Sequence, residues 1–424
     1  MATKIHKSIE HLVFVKKKGN KVISIQSFFG ILRWRSIYAH RTPIAYHSYS
    51  LFFAMKKFLF ILLLIVAGSQ VFAQTPAEKR YALYGVCFYN LENLFDTIHA
   101  PGKNDFEYLP DGGNRWGTMK YRAKVKNMAT VISEFCTDRL KGGPAIVGVS
   151  EVENREVLED LLREPCLKDR GWQVIHFEGP DRRGVECGFL YNPKLFHLEH
   201  AMLVPYYYLS EDQPDVDLGF YINEEGKVTP YPDLRGDTTH ITRGFLVASG
   251  TLAGEKMHFI VCHWPSRFAG SPVRERAGYQ VRCLKEALQR QDPGCKIVIM
   301  GDMNDDPKNK SMSVALACKH KVEETGETDL FNPWWDTLYK KGVGTLMYRG
   351  KWNLFDQIVF TGNLLGSDRS TLKFWRNEVF VRDYLFLQEG RFKGGPLRTH
   401  AQGVWLNGYS DHLPTMIYLV KEAN

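Results

Sequence analysis

Four runs of five or six apolar residues, each closing on a polar side chain, limit the folds open to this 424-residue chain. Residues 84–89 end at Asn90, residues 145–150 at Glu151, residues 258–262 at His263, and residues 296–300 at Gly301-Asp302. A strand wetted on one face alternates apolar and polar residues, because successive side chains point to opposite sides. Runs without that alternation predict strands buried on both faces, so the sheets need further layers to cover them. Polar residues gathered at the ends of the runs predict a site on one rim.

The covering layers are legible as helical stripes. Within residues 121–140, Val125, Met128, Ala129, Ile132 and Phe135 share one face, and within residues 274–291 so do Ala277, Val281, Leu284 and Leu288. The stretch 206–237, rich in Pro, Asp and Gly, predicts a long surface loop, and 363–402 a second insertion. No linker separates two cores, so residues 74–424 read as one domain. A composition of 44% hydrophobic and 24% charged residues excludes disorder, collagen and coiled coil.

The formal charge of +8 invites a nucleic-acid reading, but all of it lies in residues 1–54, where nine basic side chains face one acid, Glu10. The remainder is neutral in sum, so an argument from whole-chain basicity collapses. Met55-Lys56-Lys57, the apolar stretch 58–67 and Val71-Phe72-Ala73 predict a secretory signal peptide over 55–73. The apolar stretch is shorter than the roughly 20 residues needed to span a bilayer, and no later window approaches that length. The expectation is that translation starts at Met55, that 1–54 is an upstream extension outside the fold, and that 74–424 is exported to a periplasm or beyond the cell. All eight cysteines lie after the predicted cleavage site with no CxxC pair, and Cys87 and Cys262, inside apolar runs, are expected in the core.

The run ends and later loops hold Asn90, Glu151, His263, Asp302, Asn304, Asp356, Asp411 and His412, with no thiol nucleophile among them. Singly, each has a plain structural explanation: Asn90 a turn residue, Glu151 a first-turn helix acid, Asp302 an Asx turn. Together, carboxylates, amides and imidazoles suit a hard cation, and magnesium prefers oxygen ligands while keeping room for a phosphate oxygen.

Five segments, in order, resemble the endonuclease/exonuclease/phosphatase family of magnesium-dependent phosphoesterases. They are Phe88-Tyr89-Asn90-Leu91-Glu92-Asn93-Leu94-Phe95-Asp96, Val149-Ser150-Glu151-Val152-Glu153, Cys262-His263-Trp264-Pro265-Ser266-Arg267, Gly301-Asp302-Met303-Asn304-Asp305, and Ser410-Asp411-His412-Leu413-Pro414. Phe355-Asp356-Gln357-Ile358 stands where the family has its Asp-x-Ile element. One such motif is weak, and five in family order over one domain are specific. The first and third segments look like an exported bacterial subgroup. That subgroup often has Gly-Gly after the third, where this chain has Phe268-Ala269-Gly270-Ser271-Pro272.

The resemblance implies a four-layer α/β sandwich, two packed β-sheets flanked by helices, with the site at one end. It implies that Glu151 holds Mg2+, for which Mn2+ can substitute, with Asn90 and Asp411 as direct or water-mediated partners. Asp302 and Asn304 then position the attacking water and the phosphoryl oxygens. His412, oriented by Asp356, and His263 flank the phosphorus, with the division of acid and base between them left open. Glu186 is a candidate carboxylate partner for the first histidine, its alternative being a surface acid. Arg243 and Arg267 either clamp phosphate or form structural ion pairs. Lys124 and Arg122 read as a solvated helix face. The implied activity is hydrolysis of a phosphate ester by in-line water attack, with nucleic acid, inositol phosphate and phospholipid head group all open as substrates and no protein partner implied. The alternative is an inactive module of the same fold that binds a phosphorylated ligand or partner.

Overall fold

The computed structural model describes residues 16–17, 20–21, 53–61, 79–207, 220–222, 228–230 and 241–423. The chain divides into two units, Met1–Glu78 and Lys79–Asn424. In the first, Lys16–Lys17 pairs antiparallel with Asn20–Lys21 and residues 53–61 are helical. The remainder of the expected extension and signal peptide lies outside the described residues. Among those described, no helix is long and apolar enough to cross a membrane.

Among the described residues of the second unit, thirteen strands build two sheets. They are β1 (Tyr81–Leu94), β2 (Ile146–Val152), β3 (Gln173–His176), β4 (Glu186–Tyr191), β5 (Phe196–Tyr207), β6 (Ile241–Leu252), β7 (Glu255–His263), β8 (Lys296–Asp302), β9 (Cys318–Lys319), β10 (Leu330–Phe331), β11 (Asp356–Thr361), β12 (Lys373–Val379) and β13 (Thr415–Glu422). One sheet has the order β12-β13-β1-β2-β4-β3 and the other β9-β10-β11-β8-β7-β6-β5. The parallel pairs β1/β2 and β7/β8 are joined through helices α1 (Thr118–Ser133) and α3 (Ser271–Gln291), while α2 (Arg155–Arg163) follows β2. Parallel neighbours need such a crossover, which is why a helix follows β1 and β7.

The run pattern explains the layering. Along β1, Val86 and Phe88 point into a core shared with Phe259, Val261, Val298 and Met300 of the facing sheet. Cys87 and Tyr89, of opposite parity, pack with Val125, Met128 and Ile132 of α1. Cys262, Ile297 and Ile299 face Ala277, Val281 and Leu284 of α3 in a third cluster. The order helix, sheet, sheet, helix is thus the four-layer α/β sandwich. Each buried Val, Leu, Ile, Phe or Met contributes roughly 1.5–3 kcal/mol by leaving water. At Gly148 the sheets approach so closely that a Cβ would lie 2.5 Å from Met300 Sδ.

Three expectations change. Helix α1 stops at Ser133, and turns carry the chain through Cys136, whose φ is 61°, yet Phe135 stays in the predicted core. The stretch 206–237 begins in strand β5 and contains a ladder of Phe220–Ile222 with Val228–Pro230; its other residues lie outside the described ones. The stretch 363–402 is no mere insertion, because β12 within it pairs with β13 as the sheet's edge. Its sequence, Lys-Phe-Trp-Arg-Asn-Glu-Val, is only partly buried and so lacks the continuous apolar signal of the central strands. Cys87 and Cys262 are fully buried, as expected.

Candidate active site

The sheet directions bring the predicted residues together. Asn90 on β1 stands opposite Ser150 on the parallel β2, one residue before Glu151. His263 ends β7 opposite Asp302, which ends the parallel β8. Strand β11 is antiparallel to β8 and starts at Asp356, opposite Asp302. Asp411 and His412 precede β13, which is antiparallel to β1. Parallel strands end at the edge where their antiparallel neighbours begin, so all of these side chains, with Asn304 two residues past β8, share one rim.

Local backbone devices aim them. Asn90 Oδ1 accepts from Glu92 N at 2.9 Å and Asp302 Oδ1 accepts from Asn304 N at 2.9 Å. Both are Asx turns, which fix one atom of the side chain and leave the other for Asn90 Nδ2 to donate to Asp302 Oδ2 at 3.1 Å. The turn explanation and the site explanation therefore hold at once. Glu151 lies at a register irregularity between Ser150 and Val152 with φ 59°, a bulge that re-aims its carboxylate. It is not a helix first-turn acid, since α2 begins at Arg155 with Asn154 as its cap. Asn304 has φ 51°, and its Nδ2 donates to Trp264 O at 2.9 Å, tying it to the His263 segment.

Two imidazoles face one carboxylate. His263 Nε2 lies 3.7 Å from Asp302 Oδ2, and His412 Nε2 lies 3.8 Å from the same oxygen. Behind His412, Asp356 Oδ2 sits 2.7 Å from Nδ1, with both side chains buried. Burial alone would lower the His412 pKa, but Asp356 and Asp302 outweigh it and hold it well above the usual imidazole value. His263 goes the other way, pushed well down by burial and by the Arg243 guanidinium. Burial, reinforced by Asp356 and Glu151, raises Asp302 to about 7 against the pull of His412. Two titratable rings are thus driven apart in protonation by their surroundings.

The donors fit a hard cation. Glu151 Oε2 accepts from Asn93 N at 3.0 Å, leaving Oε1 3.5 Å from His263 Nε2. Asp411 keeps one oxygen on Arg398 at 3.0 Å. Each carboxylate is oriented through one oxygen with the other in reserve, which is what oxygen-preferring ions need. Carboxylates of Glu92, Glu151, Asp302, Asp356 and Asp411 also crowd one rim, and burial together with the Asp411 charge raises Glu92 to about 7. Asp302, Asp356 and His412 place a donor atom each within 4.8 Å of one another, a second geometry compatible with a cation. There, however, Asp356 Oδ2 is already committed to His412 Nδ1 at 2.7 Å, whereas Glu151 keeps Oε1 in reserve.

The sequence profile described as "Endonuclease/Exonuclease/phosphatase family" matches residues 85–216 and 205–421. The chain belongs to the endonuclease/exonuclease/phosphatase family. No curated protein matches it. Among solved structures, an endonuclease/exonuclease/phosphatase family protein from Bacteroides thetaiotaomicron is 15% identical, with 81% of this chain and 97% of that one covered and a TM-score of 0.47. A mannosyl-6-phosphatase from Bacteroides thetaiotaomicron is 14% identical, with coverage of 79% and 99% and a TM-score of 0.46. The human Nocturnin catalytic domain is 11% identical, with coverage of 81% and 98% and a TM-score of 0.43. Family membership supports hydrolysis of a phosphoric ester as the class of chemistry.

Several side chains stand elsewhere than the sequence suggests. Lys124 is no solvated helix residue: it is buried, donates to Thr399 Oγ1 at 2.6 Å and lies 3.9 Å from Glu92 Oε2. Burial lowers its pKa to about 8, with Glu92 and Asp411 opposing. Its stripe neighbours Val125 and Met128 draw it inward, and only the fold supplies its partners. Arg122 does remain outside, paired with Asp160 at 2.8 Å. Glu186 is buried, and among the described residues no ion pair joins it to His263. Its Oε1 accepts from Asp181 N at 3.3 Å, and burial raises its pKa to about 8. Besides Glu151 and Asp302, Asp181 is linked to the first histidine through Arg243: Nε donates to Asp181 Oδ2 at 3.0 Å while one terminal nitrogen lies 3.0 and 2.9 Å from the two ring nitrogens of His263. Arg267 is the ion-pair alternative, bonded to Asp306 at 3.0 Å and stacked on Phe355 at 4.4 Å.

Arg398 was not foreseen. It joins Glu92 at 2.9 Å to Asp411 at 3.0 Å, bracing the first motif against the last. Its segment carries no motif, so the only sequence signal was the Glu92 carboxylate within the first one, which had to find a cation if buried.

Proposed function

We propose that this chain is an exported phosphoesterase that cleaves a P–O bond by in-line attack of water, using Mg2+, with Mn2+ able to substitute. The observation that carries the reading is the Asp302 carboxylate between the two Nε2 atoms, at 3.7 and 3.8 Å. A binding module has no need of two imidazoles held in opposite protonation states.

Glu151, with Asn90 and Asp411, would hold the ion, which when bound neutralises phosphoryl charge and polarises the phosphorus. Asp302, anchored by Asn90 and the Asn304 amide, orients the water. Asn304, locked to Trp264 O, sets the loop beside the phosphoryl oxygens. His412, kept protonated by Asp356, presents a proton at Nε2 to the developing negative charge. His263, kept neutral by burial and Arg243, accepts or orients on the opposite side. The exported location follows from the signal-peptide reading of 55–73.

The experiment is hydrolysis of a p-nitrophenyl phosphate ester by the purified chain with Mg2+ or Mn2+, with EDTA, and with His412→Ala and Asp302→Ala. Turnover should need the ion and fall by about 10²-fold or more in each variant. Wild-type rates in either variant would refute the assigned roles. Fractionation of producing cells tests export, and recovery of the mature chain solely from cytoplasm counts against it.

A further inference from the structure

Next to the rim lies a cavity of about 250 Å3. Asp411 and Arg398 belong to its wall, and Met347, Leu387, Phe392 and Leu406 are its large apolar side chains. For scale, a dry apolar cavity of about 150 Å3 accepts a benzene ring.

The cavity is built into the same backbone as the site. Leu346 forms an antiparallel bridge with His412, and Leu413 N donates to Thr345 O at 2.7 Å. The strand bearing Met347 is therefore fastened to the segment bearing Asp411 and His412. On the far wall, Leu387 N donates to Gly395 O at 2.9 Å, and Tyr409 N donates to Leu397 O at 2.7 Å. Asp411, in the cavity wall, immediately precedes His412 in the chain.

The lining selects its occupant. Arg398 already serves two carboxylates, Glu92 and Asp411, so it has no spare charge for an anion. Arg349 and Gln402 are the other hydrogen-bonding side chains of the lining, and both are exposed. Met347, Leu387, Phe392 and Leu406 offer hydroxyls no side-chain partner, so a polyol laid against them gives up hydrogen bonds to water, whereas an apolar group loses nothing. Phe392 is 57% exposed where it lines the cavity, an apolar surface left to water beside a reacting centre.

We propose that this cavity is a subsite for an apolar substituent, aryl or alkyl, carried by the phosphate ester that is turned over at the rim. The inference rests on the phosphoesterase reading above and narrows its substrate class towards esters with an apolar group close to phosphorus.

The test uses methyl-, butyl- and phenylphosphonate as inhibitors of p-nitrophenyl ester hydrolysis, with calorimetric titration of the same compounds into the Mg2+-loaded protein. Affinity should rise from methyl to butyl by up to about fourfold per methylene, with phenyl similar to butyl. Ala401→Phe, which fills the cavity, should flatten the series, and Phe392→Ala, at an exposed position, should shallow it while the protein stays folded. A flat calorimetric series on the wild-type chain, or an unchanged gradient in Ala401→Phe, overturns the subsite. Absence of hydrolysis with a preserved calorimetric gradient defeats only the phosphoesterase reading and leaves the subsite standing.

Discussion

Replacing Asp356 by Asn tests whether it and His412 act as a unit. The carboxylate lies 2.7 Å from Nδ1, and its Oδ1 is buried without a hydrogen-bond partner among the described residues. An Asn of the same shape must turn its oxygen to the ring and its NH2 into that unpartnered position, so it keeps a neutral hydrogen bond and loses the charge. Removing a partner from a buried ion pair costs about 3–5 kcal/mol. Here the retained bond and relief of the repulsion between Asp356 and Asp302 offset part of that, so the folded state should lose about 1–3 kcal/mol. Loss of charge support at the transition state should remove about 3–4 kcal/mol, a fall in kcat of about 10²–10³-fold with KM within a few-fold. The assay is a double-mutant cycle with His412→Gln under saturating Mg2+. On the His412→Gln background, Asp356→Asn should change kcat by less than about threefold, because the group it serves is gone. Losses that multiply across the two sites would refute the coupling.

Three further outcomes follow from the packing. Lys124→Met should lower stability by about 3 kcal/mol in urea titration, since Glu92 loses a buried cation and keeps only Arg398; a change under about 1 kcal/mol contradicts the burial of Lys124. His258, buried and held by Ser249 Oγ at 2.7 Å from Nδ1, is lowered to about 4 by burial and by Lys256. It binds protons less readily folded than unfolded, so its contribution is full above about pH 6.5 and is lost as pH falls towards 4, up to about 3 kcal/mol. The drop in urea midpoint between pH 7.5 and 4.5 should shrink in His258→Gln, and an equal drop would assign it to other groups. Gly148→Val should cost about 1–3 kcal/mol by forcing Met300 aside, read as a lower melting temperature; an unchanged melting temperature would mean that the sheets yield freely there.

What the sequence determined by itself was whatever repeats with a local period or sits at a fixed offset from a strand end. Unbroken apolar runs gave buried strands at 84–89, 145–150, 258–262 and 296–300, and a 3.6-residue stripe gave α3, whose observed start at Ser271 is three residues early because Pro272 suits a first turn. The rim followed because polar residues close those runs. Long-range partners were not legible. Lys124 looked like any surface lysine until its fold neighbours Thr399, Tyr409 and Glu92 closed over it. Arg243, which reaches His263, is bonded to Asp181, 62 positions away in the chain. Arg398 finds Glu92 from 306 positions away. Charges pair by proximity in space, and no periodicity in a chain encodes which distant carboxylate a buried cation will meet; that was left to the tertiary structure.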